Sequence, residues 1–188
     1  MRAHGACGLA DAQHTDPFVA LVHAICSQQL STKAAATIAG RFDALFDGVP
    51  TPALVATVSD PYLRAVGLSG QKVAYIRDLC LHITTGLLPL ETLDAMSDDD
   101  VVAALTAVKG IGRWTAEMFL MFRLHRPDVL PVGDLGIVKA VQKAYRLRAV
   151  PTPERLTRIG ESWRPYRSVA CWYLWASLQN SPPAADKA

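Results

Sequence analysis

The sequence predicts an all-α fold. Three observations carry that prediction. Apolar residues recur at intervals of three and four in segment after segment. A small polar residue, often followed by proline, stands just ahead of most of these segments. No stretch alternates apolar and polar residues over several positions, so no strand is predicted. About nine or ten helices of ordinary length account for the chain. At 188 residues it reads as a single domain, 1–188, or as two small lobes sharing a core.

Asp16-Pro17 starts the first helix, with Asp as N-cap and Pro at the first helical position. Phe18, Leu21, Val22 and Ile25 follow at helical spacing. Ser27-Gln28-Gln29-Leu30-Ser31 interrupts them as a polar joint, and Ser31 caps a second helix with Ala35, Ile38, Phe42 and Leu45 on its apolar face. Gln28 and Gln29 in that joint are candidate DNA contacts. Thr51-Pro52 and Ser59-Asp60-Pro61 start two short helices, and Gly67 ends the second. Ser69-Gly70-Gln71-Lys72 opens a helix burying Val73, Ile76, Leu79, Cys80 and Ile83, which Gly86 stops. Capping alone explains that opening, although a loop of this kind can also touch a phosphate. Ser97 caps the next helix. Asp98, Asp99 and Asp100 in its first turn complement the positive helix end. Consecutive helical residues point in different directions, so no metal site is expected there. Thr152-Pro153 opens a later helix, and Val169, Trp172, Tyr173, Trp175 and Leu178 lie on the last, with Trp172 expected in the core. The tail 181–188 is expected to be flexible.

Composition narrows the function classes. Half of the residues are hydrophobic, which suffices for a core and argues against disorder. No apolar run reaches the ~18 residues of a membrane span, and the N-terminus does not read as a signal peptide. A cytoplasmic, non-membrane protein is expected, and nothing demands more than a monomer. Cys7, Cys26, Cys80 and Cys171 are scattered with no C-x-x-C pair, so neither zinc nor an iron–sulfur cluster is expected. Cys26 and Cys171 read as core thiols. The net charge of +2 does not announce a nucleic-acid binder, but between Leu105 and Arg148 eight basic residues face three acidic ones. Phosphate attraction depends on the local field. A solvated helix surface would explain the same charges.

The most informative stretch is Leu105–Ile137. Val108-Lys109-Gly110-Ile111-Gly112-Arg113 reads as a tight hairpin between two helices, the second running over Arg113–Arg123. The two glycines let the chain reverse and bare the N–H groups of the second helix, a ready anion site. Ile111 between them anchors the turn. Lys109, Gly110, Ile111, Gly112 and Arg113 are therefore candidate DNA-backbone contacts, which need no sequence preference. Asp134, after Leu130-Pro131-Val132-Gly133, is an N-cap by its surroundings. A helix end also fixes a carboxylate in direction, so capping and catalysis are compatible readings.

These residues resemble a known family. The hairpin followed by a Gly/Pro loop ending in Asp134 is similar to the helix-hairpin-helix (HhH-GPD) DNA glycosylases. Ser27-Gln28-Gln29-Leu30-Ser31, Ser162-Trp163-Arg164-Pro165-Tyr166-Arg167-Ser168 and Trp175 extend the likeness to the DNA-3-methyladenine glycosylase II subgroup, from about Phe18 to Leu178. The resemblance implies two all-α lobes with an active-site cleft between them: lobe A near 1–30 plus 147–188, and lobe B near 31–146 containing the hairpin 108–113. It implies a hairpin on the DNA backbone, with a monovalent cation on its carbonyls and no other cofactor. It implies Asp134 as the catalytic residue that stabilises the sugar cation as a flipped base departs.

Trp114 stands where strand-cleaving relatives carry a lysine nucleophile, which implies a monofunctional hydrolase of the N-glycosidic bond. Trp114 and Trp175 match aromatic pocket positions of the subgroup, and an indole face suits the positive charge of an alkylated purine. Met118, one turn after Trp114, stands where the subgroup commonly has an aromatic. Gln29 is the expected filler of the gap left by the base. The chain reads as a minimal version, without the extra N-terminal β-rich domain of longer members. Expected partners are duplex DNA with alkylated bases (3-methyladenine or 7-methylguanine type). Two alternatives remain at this point: a non-catalytic DNA-binding hairpin module, and a glycosylase for oxidised or mismatched bases.

Overall fold

The computed structural model describes residues 5–11 and 16–178; the expected flexible tail 181–188 lies outside them. Ten α-helices follow one another: α1 (Pro17–Ser27), α2 (Thr32–Asp43), α3 (Pro52–Thr57), α4 (Asp60–Ala65), α5 (Gly70–Thr84), α6 (Asp98–Thr106), α7 (Arg113–Phe122), α8 (Leu135–Ala144), α9 (Pro153–Gly160) and α10 (Arg167–Leu178). Short 3-10 turns lie at Gly8–Asp11, Leu90–Ala95 and Glu161–Trp163. The described residues contain no strand, as the missing alternation predicts. None of their helices is long and apolar enough to cross a membrane.

The starts follow the capping chemistry. Asp16, Ser31, Thr51, Ser69, Ser97, Asp134 and Thr152 each accept a backbone N–H from the turn they open. The acidic run is part of one such cap: Ser97 Oγ accepts the Asp100 N–H at 3.2 Å and donates to the Asp100 carboxylate at 2.6 Å. Ser59 starts α4 without a side-chain cap bond. Helix α7 ends at Phe122, one residue before the expected Arg123.

The chain divides into two compact units. One comprises the described residues of 1–13 and 120–188, the other those of 14–119, with the boundary inside α7. These bounds differ from the lobes drawn at about 30 and 146, and packing explains the difference. In the second unit α5 is central. It packs against α1, α3 and α4, and α1 also packs against α2, so α1 stays with the helices that follow it. Phe18, Leu21, Ile25, Phe42, Leu63, Ile76 and Leu79 are buried there. In the other unit α8 lies against α10, which holds α8 with the C-terminal helix.

The four cysteines form no disulfide, and Cys26, Cys80 and Cys171 are buried. Burial pushes the Cys26 and Cys80 thiols up to about 11, which leaves little thiolate at neutral pH.

Candidate active site

Asp134 is the N-cap of α8. Its Oδ1 accepts the Ile137 N–H at 2.7 Å. The indole Nε1–H of Trp175, on α10, donates to the same oxygen at 2.9 Å. Gly136 makes this approach possible: a Cβ there would stand 3.0 Å from Asp134 Oδ1 and 3.0 Å from Trp175 Cδ1 and Nε1. Phe122 stacks on Trp175, with ring centroids 6.0 Å apart and planes inclined by 27°. Asp134 is buried. Its carboxylate is therefore fixed in rotation, in front of the positive end of a helix.

The loop leading to Asp134 is tied to the start of α10. Ser168 Oγ accepts the Val129 N–H at 3.0 Å and donates to the Arg126 carbonyl at 2.7 Å. The Arg167 guanidinium donates to Asp128 Oδ1 at 2.7 Å and to the Asp128 carbonyl at 2.6 Å, and Arg164 adds a contact to Oδ2 at 2.7 Å. Burial acts to raise the Asp128 carboxyl, but the hydrogen bonds from Arg167 and the charges of Arg167 and Arg164 outweigh it and hold the group below its ordinary range. So α10 acts twice: Arg167 and Ser168 fix the loop, and Trp175 fixes the acid at its end.

The hairpin belongs to the unit of residues 14–119. Gly110 has a φ of +82°, and a Cβ on it would lie 2.1 Å from Cδ2 of Tyr75. No other residue fits. Gly112 is different. Its φ is not positive, and a Cβ there would meet nothing within 4 Å. Only Gly110 serves the reversal; Gly112 leaves open space in front of the backbone at the start of α7. Ile111 is buried, as expected of an anchor, and contributes about 2 kcal/mol.

Three side chains hold the turn. Tyr75 lies beneath it. Asp78 Oδ2 accepts the Lys109 N–H at 2.8 Å, and its carboxylate meets the Lys109 ammonium at 3.4 Å. Gln28 Nε2 donates to the Gly110 carbonyl at 2.8 Å. Gln28, expected at DNA, thus spends its amide N–H on the hairpin. Lys72 secures the joint in turn by donating to the Cys26 and Gln28 carbonyls, each at 2.8 Å, which gives the Ser69–Lys72 opening a structural role.

The monovalent cation implied by the resemblance would need hairpin carbonyls. Val108 O already accepts the Ile111 N–H at 3.1 Å, and Gly110 O accepts Gln28. Each carbonyl has a second lone pair, and an all-oxygen set suits a hard cation, so these residues fit one.

Arg113 Nε pairs with the buried Glu117 at 3.0 Å. Trp114 is exposed, and Met118, one turn later, is partly buried. Gln29 is exposed with a φ of +57°, and its neighbour Leu30 is exposed as well. Trp114 and Met118 belong to one unit, Asp134 and Trp175 to the other.

Residues 22–165 match the model of the HhH-GPD superfamily base excision DNA repair proteins. The chain belongs to this family. It is 36% identical over 163 residues to DNA-3-methyladenine glycosylase 1 of Schizosaccharomyces pombe, covering 85% of this chain and 72% of that protein. A DNA-3-methyladenine glycosidase structure from Bacillus halodurans superposes with a TM-score of 0.82 at 42% identity, over 88% of this chain and 77% of its own. The S. pombe 3-methyladenine DNA glycosylase Mag1, in complex with abasic DNA, gives a TM-score of 0.78 at 34% identity, over 90% and 84%.

Within this HhH-GPD chain, sequence reasoning missed Tyr75 and Asp78 under the hairpin, Phe122 behind Trp175, and Gly136. Gly136 left a signal, a glycine two residues past the acid inside a helix. Tyr75 and Asp78 left none, because a helix 30 residues upstream of the hairpin looks like any other until it is packed beneath it.

Proposed function

We propose that this HhH-GPD protein is a monofunctional DNA glycosylase that removes alkylated bases of the 3-methyladenine and 7-methylguanine type in base excision repair. The observation that carries the reading is the Asp134 carboxylate, locked at the start of α8 by the Ile137 N–H and the Trp175 indole.

The target nucleotide is turned out of the duplex, because its glycosidic bond is inaccessible in the stack. N-alkylation has already placed positive charge on the base. When the bond from C1′ to the base nitrogen breaks, the electron pair leaves with the base and neutralises it, so no dedicated acid is required. Positive charge develops on the sugar, and the fixed Asp134 carboxylate stabilises it. Water adds to C1′ and gives its proton to the carboxylate, leaving a free base and an abasic site. Trp114 and Met118 offer surfaces for the flipped base, with the exposed indole suited to a cation. Trp175 is assigned more to positioning the acid than to stacking, and Gln28 more to supporting the hairpin than to touching DNA. Gln29 stays assigned to the gap left by the base. The hairpin, with Gly110 and Gly112, grips the backbone through the start of α7, and Lys109 and Arg113 flank it. A monovalent cation on the carbonyls would add fixed positive charge there. Trp114 cannot form a Schiff base, which supports hydrolysis without strand cleavage.

The test is base release from methylated duplex DNA. Wild type should produce free methylated purines and abasic sites. Asp134→Asn should not, while still binding DNA; Asn is itself a good N-cap, so the helix start survives. Equal release by the variant would overturn the catalytic role of Asp134. Strong release of oxidised guanine with weak release of methylpurines would reassign the substrate.

A further inference from the structure

The exposed face of α8 is a run of positive charge that the reaction leaves unused. Between Asp134 and Glu154 the chain carries Lys139, Lys143, Arg146 and Arg148 and no acid. On α8 the buried positions are Ile137, Ala140 and Val141. At 100° per residue, Leu135 and Lys139 lie on the opposite side and Lys143 at its flank. All three are exposed, Leu135 by 73%. Arg146 follows just past the helix end and is also exposed.

Elsewhere many cations are committed to partners: Arg77 to Asp60, Lys109 to Asp78, Arg113 to Glu117, and Arg164 and Arg167 to Asp128. Among the described residues, Lys139, Lys143 and Arg146 form no ion pair. The negative helix end accounts for Lys143, in the last turn, but not for Lys139 in the middle.

Arg146 adds a second observation. The Arg146 N–H bonds to the Lys143 carbonyl at 3.2 Å and the Leu147 N–H to the Gln142 carbonyl at 2.9 Å. That is a Schellman cap, and its left-handed position, where glycine is preferred, is held by Arg146 at a φ of +51°. An arginine there is conformationally unfavourable, yet it extends the basic row.

We propose that this face of α8, from Leu135 beside Asp134 to Arg146, is a second DNA-backbone surface. The inference rests on the reading of duplex DNA as the substrate. Its partner chemistry is the phosphate backbone, matched by a one-sign row continuous with the candidate catalytic residue. It supplies affinity without base preference.

The test is binding of an undamaged duplex by the full chain, followed by fluorescence anisotropy across a salt series. Lys139→Gln/Lys143→Gln should weaken binding on the order of tenfold and lower the slope of log K against log salt by about 2. Arg146→Gly should lower the slope by about 1 and at the same time raise Tm, because glycine relieves the left-handed position. A purely structural Arg146 would not separate the two readouts. The control pair Arg155→Gln/Arg158→Gln on α9 removes equal charge and should leave the slope unchanged. Unaltered slopes in the α8 variants, an equal fall in the control pair, or no duplex binding by wild type would each overturn the proposal. Base release with α8-independent binding sinks this inference alone. Binding that depends on α8 without base release sinks the glycosylase reading alone.

Discussion

The Asp134 carboxylate is held as an acceptor. Two N–H groups converge on its Oδ1, one from its own helix and one from Trp175 forty-one residues away. The capping reading and the catalytic reading are thus one arrangement, since the cap fixes the direction in which the charge points. Trp175→Phe tests the indole bond by itself. Phenylalanine retains an aromatic ring against Phe122 but has no N–H. Base release from methylated DNA should fall on the order of tenfold with DNA binding retained, which corresponds to about 1.4 kcal/mol. An unchanged rate would remove Trp175 from the positioning of the acid. Gly136→Ala acts at the same point by crowding. Its added methyl sits at 3.0 Å from both Asp134 Oδ1 and Trp175, so one of them must move. Activity should drop further than stability, and a thermal melt beside the release assay separates them. The position of Gly136 is visible in the sequence. Its reason is not, because the indole it makes room for comes from another helix.

At the level of elements, the hairpin is a loop held from below. Helix α5 supplies Tyr75 and Asp78, and the α1–α2 joint supplies Gln28. Gly110→Val should therefore do two things. It should lower stability by about 2–4 kcal/mol, through the unfavourable φ and the collision with Tyr75. It should also weaken binding to every duplex alike. Selective loss for one lesion would contradict a backbone-gripping role. Gln28→Ala removes one amide–carbonyl bond and should cost about 1 kcal/mol, with a smaller and equally unselective loss of DNA affinity. The hairpin itself was legible from Gly-x-Gly between two apolar helices. The difference between its glycines was not: Gly110 is fixed by φ and by a neighbouring ring, while Gly112 faces open space.

Asp128 in one unit and Asp78, beneath the hairpin in the other, are carboxylates held below their ordinary range. For Asp78 burial again acts upward, and the hydrogen bonds from Lys109 with the charges of His82 and Lys109 prevail. The sign follows from linkage. A carboxyl depressed in the folded state contributes stability that is fully present above its unfolded value and is lost as pH falls through the folded one. Thermal stability should decline as pH drops below about 4. Asp128→Asn should be less stable at neutral pH and show a flatter acid limb. An acid limb identical to wild type would mean that Asp128 does not contribute to it.

The sequence by itself determined the helix starts, the absence of strands, the hairpin and the residue that ends the Gly/Pro loop. All of these depend on neighbours within a few positions: a capping oxygen three residues from the N–H it satisfies, an apolar period, a glycine at a reversal. Tertiary structure alone decided what holds those parts in place. Trp175 on Asp134, Arg167 on Asp128, Gln28 on Gly110 and Tyr75 beneath it join residues 35 to 82 positions apart. A hydrogen bond between distant residues leaves no periodicity in the chain. It exists only once the hydrophobic faces of the helices have packed and brought its two ends together.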